Sequence, residues 1–216
     1  MDLPPLSTER ISTILSSAPS HSELYDILSQ YEGEALLLSS KKGEKPLFLS
    51  LFYSTFFFSH LLTDQLYEAR ALTQRVPQSV SQNDPSLQNC SVVLRAVWQR
   101  NYEQVYKALR ELPWSEQLKP IVSKYDAHFQ EKTFKEVSRA YEAIRPAAAA
   151  SYLGLDPDLA EQGDPAIIQK FTAREWKWDK ETKLLHPKPI PVVPETTGDP
   201  SQGLDQIMAL ISKYGG

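Results

Sequence analysis

Apolar residues recur at three- and four-residue intervals through the first two thirds of the chain, cut into short pieces by proline and polar turns. That spacing marks packed amphipathic helices. Over 6–18, Ile11, Ile14 and Leu15 share a face, and Pro19 ends the run. Ser20 with Glu23 forms a capping-box pattern that opens a helix with the stripe Leu24, Ile27, Leu28 and Tyr31; Gly33 reads as its C-terminal stop. A charged loop occupies 41–44, and Pro46 suits the first turn of the next helix. That helix, 47–62, has Leu47, Leu51, Phe52 and Phe56 on one side and Phe48, Leu49, Phe57 and Phe58 on others. So wide an apolar surface requires neighbours on several faces. Asp64 reads as the cap of a helix with Leu66, Ala69 and Leu72 inward, and 77–83 as a polar loop.

Asp84-Pro85, a capping side chain followed by proline at the first helical position, starts a helix with Leu87, Cys90, Val93, Leu94, Val97 and Trp98 as its stripe. Asn101 with Gln104 starts another, with Val105, Tyr106 and Leu109 inward. These paired helices recur at about tetratricopeptide length but lack that motif's consensus residues, which predicts an irregular helical-repeat array. Pro113-Trp114-Ser115 breaks the chain, and Leu118, Ile121, Val122, Tyr125 and Phe129 resume helical spacing. Thr133 with Glu136 forms a second capping box and predicts a new helix from Phe134, with the stripe Phe134, Val137, Tyr141 and Ile144. Trp98 and Trp114 read as core wedges between helices.

Beyond this the pattern changes. An alanine-rich helix over 146–153 stops at Gly154, and Asp156-Pro157 and Asp164-Pro165 repeat the cap-plus-proline signal, the second leading into Ile167, Ile168 and Phe171. Trp176-Lys177-Trp178 alternates like a strand, and 183–186 completes a hairpin across a polar turn. Three short helices and a two-stranded wing are the order of a winged-helix module. Trp176 and Trp178 share a face: their rings fit a core, while the backbone edge of the hairpin, with Lys177, Leu184 and Leu185, is open to a partner's strand. Five prolines between 187 and 200 make an extended linker. Leu204, Ile207, Met208 and Ile211 then form an amphipathic helix too short to be stable alone, so it needs a docking surface. The expected fold is mostly α: a helical-repeat region (1–132), a winged-helix module with a small β-hairpin wing (133–187), a proline-rich linker (188–203) and a C-terminal helix (204–214).

The 216 residues are 41% hydrophobic, enough for the core of one or two domains. A formal charge of -4 offers no basic field to nucleic acid or an acidic membrane. Cys90, the single cysteine, excludes an intrachain disulfide and suits a reducing compartment, and no secretory signal opens the chain. The apolar run 47–62 falls short of the roughly 20 residues a span needs. Ser50, Ser54, Thr55, Ser59 and His60 also interrupt it, so it reads as a buried core helix of a soluble, intracellular protein.

Chemistry is sparse. His21, His60, His128 and His186 are far apart and form no metal-ligand pattern, and there is no nucleophile elbow, P-loop or dinucleotide fingerprint. Carboxylate pairs such as Glu32 with Glu34, or Asp156 with Asp158, fit solvated caps and loops. Cys90 lies on an apolar stripe and reads as an inert thiol. No enzyme, cofactor or small-molecule substrate is indicated. A winged helix can read DNA, but the candidate recognition helix 164–175 sets Lys170 and Arg174 against Asp164 and Glu175 and is close to neutral.

The words VWQRNYEQVYKAL, LPWSEQLKPIV and FKEVSRAYEAI, followed by SYLGL and WKWDKETKLLHPKPI, resemble the family of the smallest subunit, subunit eight, of the COP-9 signalosome. The likeness covers about 92–191, with the earlier hairpins matching in pattern only. Sister families, a small proteasome-lid subunit and subunit k of translation initiation factor three, share the layout; the WQR and PWSE words and the LHPKP ending favour the signalosome. The LDPDLAEQGDP insertion departs from the pattern and blurs the start of the third small helix. The resemblance implies a PCI-type scaffold subunit, cytoplasmic and nuclear. Its wing would pair edge to edge with neighbouring subunits and its terminal helix, Leu204, Ile207, Met208 and Ile211, would join a common bundle. It implies no catalytic role, since the complex removes Nedd8 from cullins with the zinc site of a different subunit.

Overall fold

The computed structural model describes residues 3–18, 20–40, 48–81 and 84–188. Ser7 opens α1 (Thr8–Ser17) by accepting the Arg10 N–H at 3.2 Å, and Ser20 opens α2 (His21–Ser29) by accepting that of Glu23 at 3.1 Å. Gly33 does not stop the chain. A helical stop needs a left-handed residue, and Gly33 has no positive φ. Instead Ala35 N–H bonds Tyr31 C=O at 2.9 Å and α3 (Glu32–Ser40) begins directly, a helix the sequence pattern did not reveal.

The apolar run becomes α4 (Phe48–Leu62), buried on all sides beyond its first turn. It packs against α1, α2 and α3 on the N-terminal side, and against α5 (Leu66–Arg75), α6 (Gln78–Ser81), α7 (Pro85–Trp98) and α9 (Lys119–Ala140) on the other. Two of its buried polar residues find local partners: Ser59 Oγ donates to Phe56 C=O at 2.8 Å, and His60 Nδ1 lies 3.1 Å from Gln65 Oε1. Among the described residues no helix is long and apolar enough to cross a membrane. α8 (Tyr102–Glu111) pairs with α7 and completes the array.

Several local expectations need correction. Asp64 caps nothing; it sits at φ 60° and binds Lys132 Nζ at 2.6 Å, leaving Gln65 at the start of α5. The 77–83 loop contains the single-turn α6, which buries Val80. Trp98 is 41% exposed, held edge-on against Tyr67 at 5.3 Å with Arg70 over its face at 4.9 Å, so it wedges no core. Trp114 does: it is buried, its Nε1–H donates to Ala108 C=O at 3.2 Å, and its ring meets Phe58 edge-on. Finally, no helix starts at Phe134. Thr133 lies fully buried inside α9, which runs unbroken for 22 residues. At a rise of about 1.5 Å per residue it spans roughly 33 Å.

α9 links two apolar cores. One gathers residues of α1 to α9 as far as Tyr125; the other starts at Phe134 on the same helix and takes in α10 (Pro146–Leu153), α11 (Pro157–Glu161), α12 (Pro165–Thr172) and the hairpin of β1 (Lys177–Asp179) and β2 (Leu184–His186). The insertion resolves cleanly. Asp156 caps α11, and Asp164 caps α12 by accepting the Ala166 and Ile167 N–H groups, so the third small helix starts where the Asp-Pro signal places it.

The C-terminal end of α10 ties these parts together. Its last carbonyls lack intrahelical partners, and three side chains from the array supply them. Tyr106 Oη donates to Tyr152 C=O at 3.2 Å, Gln130 Nε2 to Leu153 C=O at 2.7 Å, and an Arg110 guanidinium nitrogen to Gly154 C=O at 2.6 Å.

Candidate assembly surface

The hairpin is built from the core outward. Trp176, just before β1, is 2% exposed and lies between Phe134 and Phe171, its ring stacked at 4.9 Å and 5.4 Å from theirs. Its Nε1–H donates to Ser138 Oγ at 3.0 Å, which satisfies the one polar atom the burial would strand. On the far side of Phe134 the Arg174 guanidinium lies 4.7 Å from the ring centroid and pairs with Glu131 at 3.2 Å. The wing thus grows from a four-layer stack anchored on α9.

At the tip, Asp179 accepts from Glu181 N–H at 2.9 Å and from Thr182 Oγ1 at 2.7 Å, and Lys183 turns the chain at φ 53°. Those hydrogen bonds, Thr182's first, hold the Asp179 carboxyl below its ordinary range. The register pairs Lys177 with His186, Trp178 with Leu185 and Asp179 with Leu184. Leu185, fully buried, donates its N–H to Ile144 C=O and accepts the Ile144 N–H, each at 2.9 Å, so Ile144 is a one-residue third strand beside β2.

That bridge decides which edge is open. Antiparallel pairs alternate between exchanging both bonds and exchanging none. Because Leu185 bonds outward to Ile144, its partner Trp178 has no ladder bond to β2 and turns its own N–H and C=O away from the sheet. Among the described residues the β1 edge at Trp178 therefore has no strand beside it, while the β2 edge is occupied. Of the five wing residues singled out from sequence, Trp176 and Leu185 are core, Trp178 and Leu184 are half-buried, and Lys177 is exposed. The signal that separated them was the Ile144 pairing, which no local pattern shows. Leu204, Ile207, Met208 and Ile211 lie outside the described residues.

Elsewhere the groups that carry chemistry are occupied with packing. Cys90 is buried beneath α4 and burial pushes its thiol up to about 12. His21 meets His128 edge-on at 5.1 Å, and burial lowers the pKa of His21 and of His60. No cluster of three or more His, Cys, Asp or Glu able to hold a metal occurs among the described residues.

Residues 47–196 match the CSN8/PSMD8/EIF3K family. Over its whole length the chain is 53% identical to COP9 signalosome complex subunit 8 of Emericella nidulans, covering 100% of both sequences. It is also similar to the proteins of that name from Dictyostelium discoideum (27% identity; 74% of this chain, 76% of the relative) and Danio rerio (24% identity; 66% and 73%).

Proposed function

Since the chain belongs to the CSN8/PSMD8/EIF3K family, we propose that it is the subunit-8 member of a COP9 signalosome, a scaffold that assembles through its wing and its C-terminal helix. On this reading it acts within the complex that takes Nedd8 from cullins while supplying no catalytic group itself. The observation that carries the reading is the wing: a hairpin locked to the core by the Phe134–Trp176–Phe171 stack, with a backbone edge at Trp178 that no strand covers among the described residues. A rigid strand edge of three residues is a poor catalyst but a ready template for a neighbour's strand. Residues 204–214 supply a second contact, an apolar helix face for a bundle with other subunits. The division at about 133 is part of the same proposal, an array that positions and a wing that binds. The nucleic-acid reading loses its chief cation, because Arg174 is committed to Glu131 and the Phe134 face.

Two variants separate edge pairing from side-chain contact. Trp178→Pro removes the outward N–H, which the hairpin does not use; Trp178→Ala removes the ring and keeps the N–H. Co-purification with the other signalosome subunits should fall sharply for W178P and much less for W178A. Equal yields of the two would rule out edge pairing. A Leu204/Ile207/Ile211 triple change to Asp should likewise lose the complex, and wild-type recovery would remove the helix from the reading.

A further inference from the structure

Three tyrosines gather where the described chain leaves the wing. Tyr141, the C-cap of α9, is 38% exposed, and Tyr152 on α10 and Tyr102 at the start of α8 are half-buried beside it. Ring centroids are 6.1 Å apart for Tyr141 and Tyr152 and 5.1 Å for Tyr152 and Tyr102, the second pair edge-to-face. The Tyr141 and Tyr152 hydroxyls share one hydrogen bond at 3.1 Å. One of them donates to the other, so a second O–H is left to donate elsewhere. The three rings belong to three different helices, yet they meet in one patch.

The last described residues run toward this patch. β2 runs antiparallel to Ile144, and His186 Nδ1 lies 3.2 Å from Glu142 C=O. Past His186 the chain therefore heads back along 142 and 141 toward Tyr141. Its next residues are Pro187-Lys188-Pro189-Ile190-Pro191-Val192-Val193-Pro194. Proline favours the extended polyproline conformation, and such segments dock on aromatic-lined grooves, proline rings on aromatic faces and carbonyls on side-chain donors. At about 3.1 Å per residue, 189–194 would reach roughly 19 Å, beyond the two ring-to-ring steps of the patch. The family match also runs through residue 196, so this stretch lies within the part of the chain that resembles its relatives.

We propose that the Tyr141–Tyr152–Tyr102 patch is the docking surface for the chain's own proline-rich segment 189–194, which fixes the path from the wing to the C-terminal helix.

The test is nuclear magnetic resonance of the full chain carrying 13C-labelled proline. Stacking on a tyrosine face moves proline ring protons upfield. Signals of Pro189, Pro191 or Pro194 should lie upfield of Pro200 and return to the Pro200 position in both Tyr141→Leu and Tyr152→Leu. Tyr67→Leu, on an exposed tyrosine remote from the wing, should leave them in place. Tyr141 is exposed enough for its variant to fold even where the Tyr152 change does not. All prolines at the Pro200 position would overturn the proposal. So would upfield shifts that disappear on dilution, because the occupant would then be a second copy, and shifts indifferent to Tyr141→Leu.

Discussion

Gly154 shows how much one residue can be required to be itself. It ends α10 at φ 63°, and a Cβ there would lie 2.3 Å from Cγ of Tyr106, inside the ring that holds the Tyr152 carbonyl. Gly154→Ala combines left-handed strain of about 1–2 kcal/mol with overpacking of about 1–3 kcal/mol. Urea denaturation should show a loss of about 2–5 kcal/mol, with the m-value unchanged. The four tryptophans make a sharper contrast. Trp176→Ala empties the stack and strands Ser138 at an expected cost of about 3–5 kcal/mol, whereas Trp98→Ala gives up an exposed cation–π contact of about 0.5–1 kcal/mol. A similar loss for both variants would contradict the burial of one and exposure of the other. Sequence spacing placed Trp98 on the α7 stripe, but it falls on the exposed side with Ser91 and Arg95, away from the buried Leu87, Cys90, Val93 and Ala96. The ring is exposed because that face of α7 stays in solvent along its length, and Tyr67 and Arg70 lie against it.

At the scale of elements, the signals that succeeded are those with a single physical meaning. Asp-Pro at 84, 156 and 164 offers a capping oxygen and a residue without an N–H, and each starts a helix. Ser20 and Asn101 do so by side chain alone. The signals that failed have two meanings. Thr133 with Glu136 fits a capping box, but it fits a helix interior equally well when the threonine faces a neighbour, and Thr133 is buried against the Tyr106 side. Gly33 fits a stop only with positive φ, which depends on what packs after it. The fit of α10 against the array was not legible at all, because Tyr106, Gln130 and Arg110 reach it from 46, 23 and 44 residues away. Gln130→Ala tests that joint: with the Leu153 carbonyl left unpaired in a half-buried site, the loss should be about 1–2 kcal/mol. Amide exchange should rise at Leu155, whose N–H bonds Ala150 at the α10 terminus, while α4 amides stay protected. Uniform acceleration would place the effect elsewhere.

For the whole molecule the question is whether array and winged module are separate bodies or one. The sequence pattern put a helix boundary between them at Phe134; the chain instead carries a single α9 through both cores, with Tyr125 in the first and Phe134 and Val137 in the second. A continuous helix transmits orientation because each of its hydrogen bonds constrains the next, and the salt bridge of Lys132 with Asp64 and that of Arg174 with Glu131 tie it to opposite sides. Both ion pairs are exposed and add little stability; the helix does the coupling. Lys132 sits on the exposed face between the cores, so proline there removes no core side chain and breaks the helix together with one exposed ion pair to Asp64. Lys132→Pro should therefore cost about 3 kcal/mol or more and convert one cooperative urea transition into two. The wing's tryptophan fluorescence and the exchange of α4 amides would then report different midpoints. If the native chain already shows two midpoints, α9 does not couple the cores. If the variant keeps one, the carbonyl clamps on α10 suffice without the helix. A wing that must meet a neighbour's strand at one angle gains from the first design, because an edge only three residues long has little tolerance for misalignment.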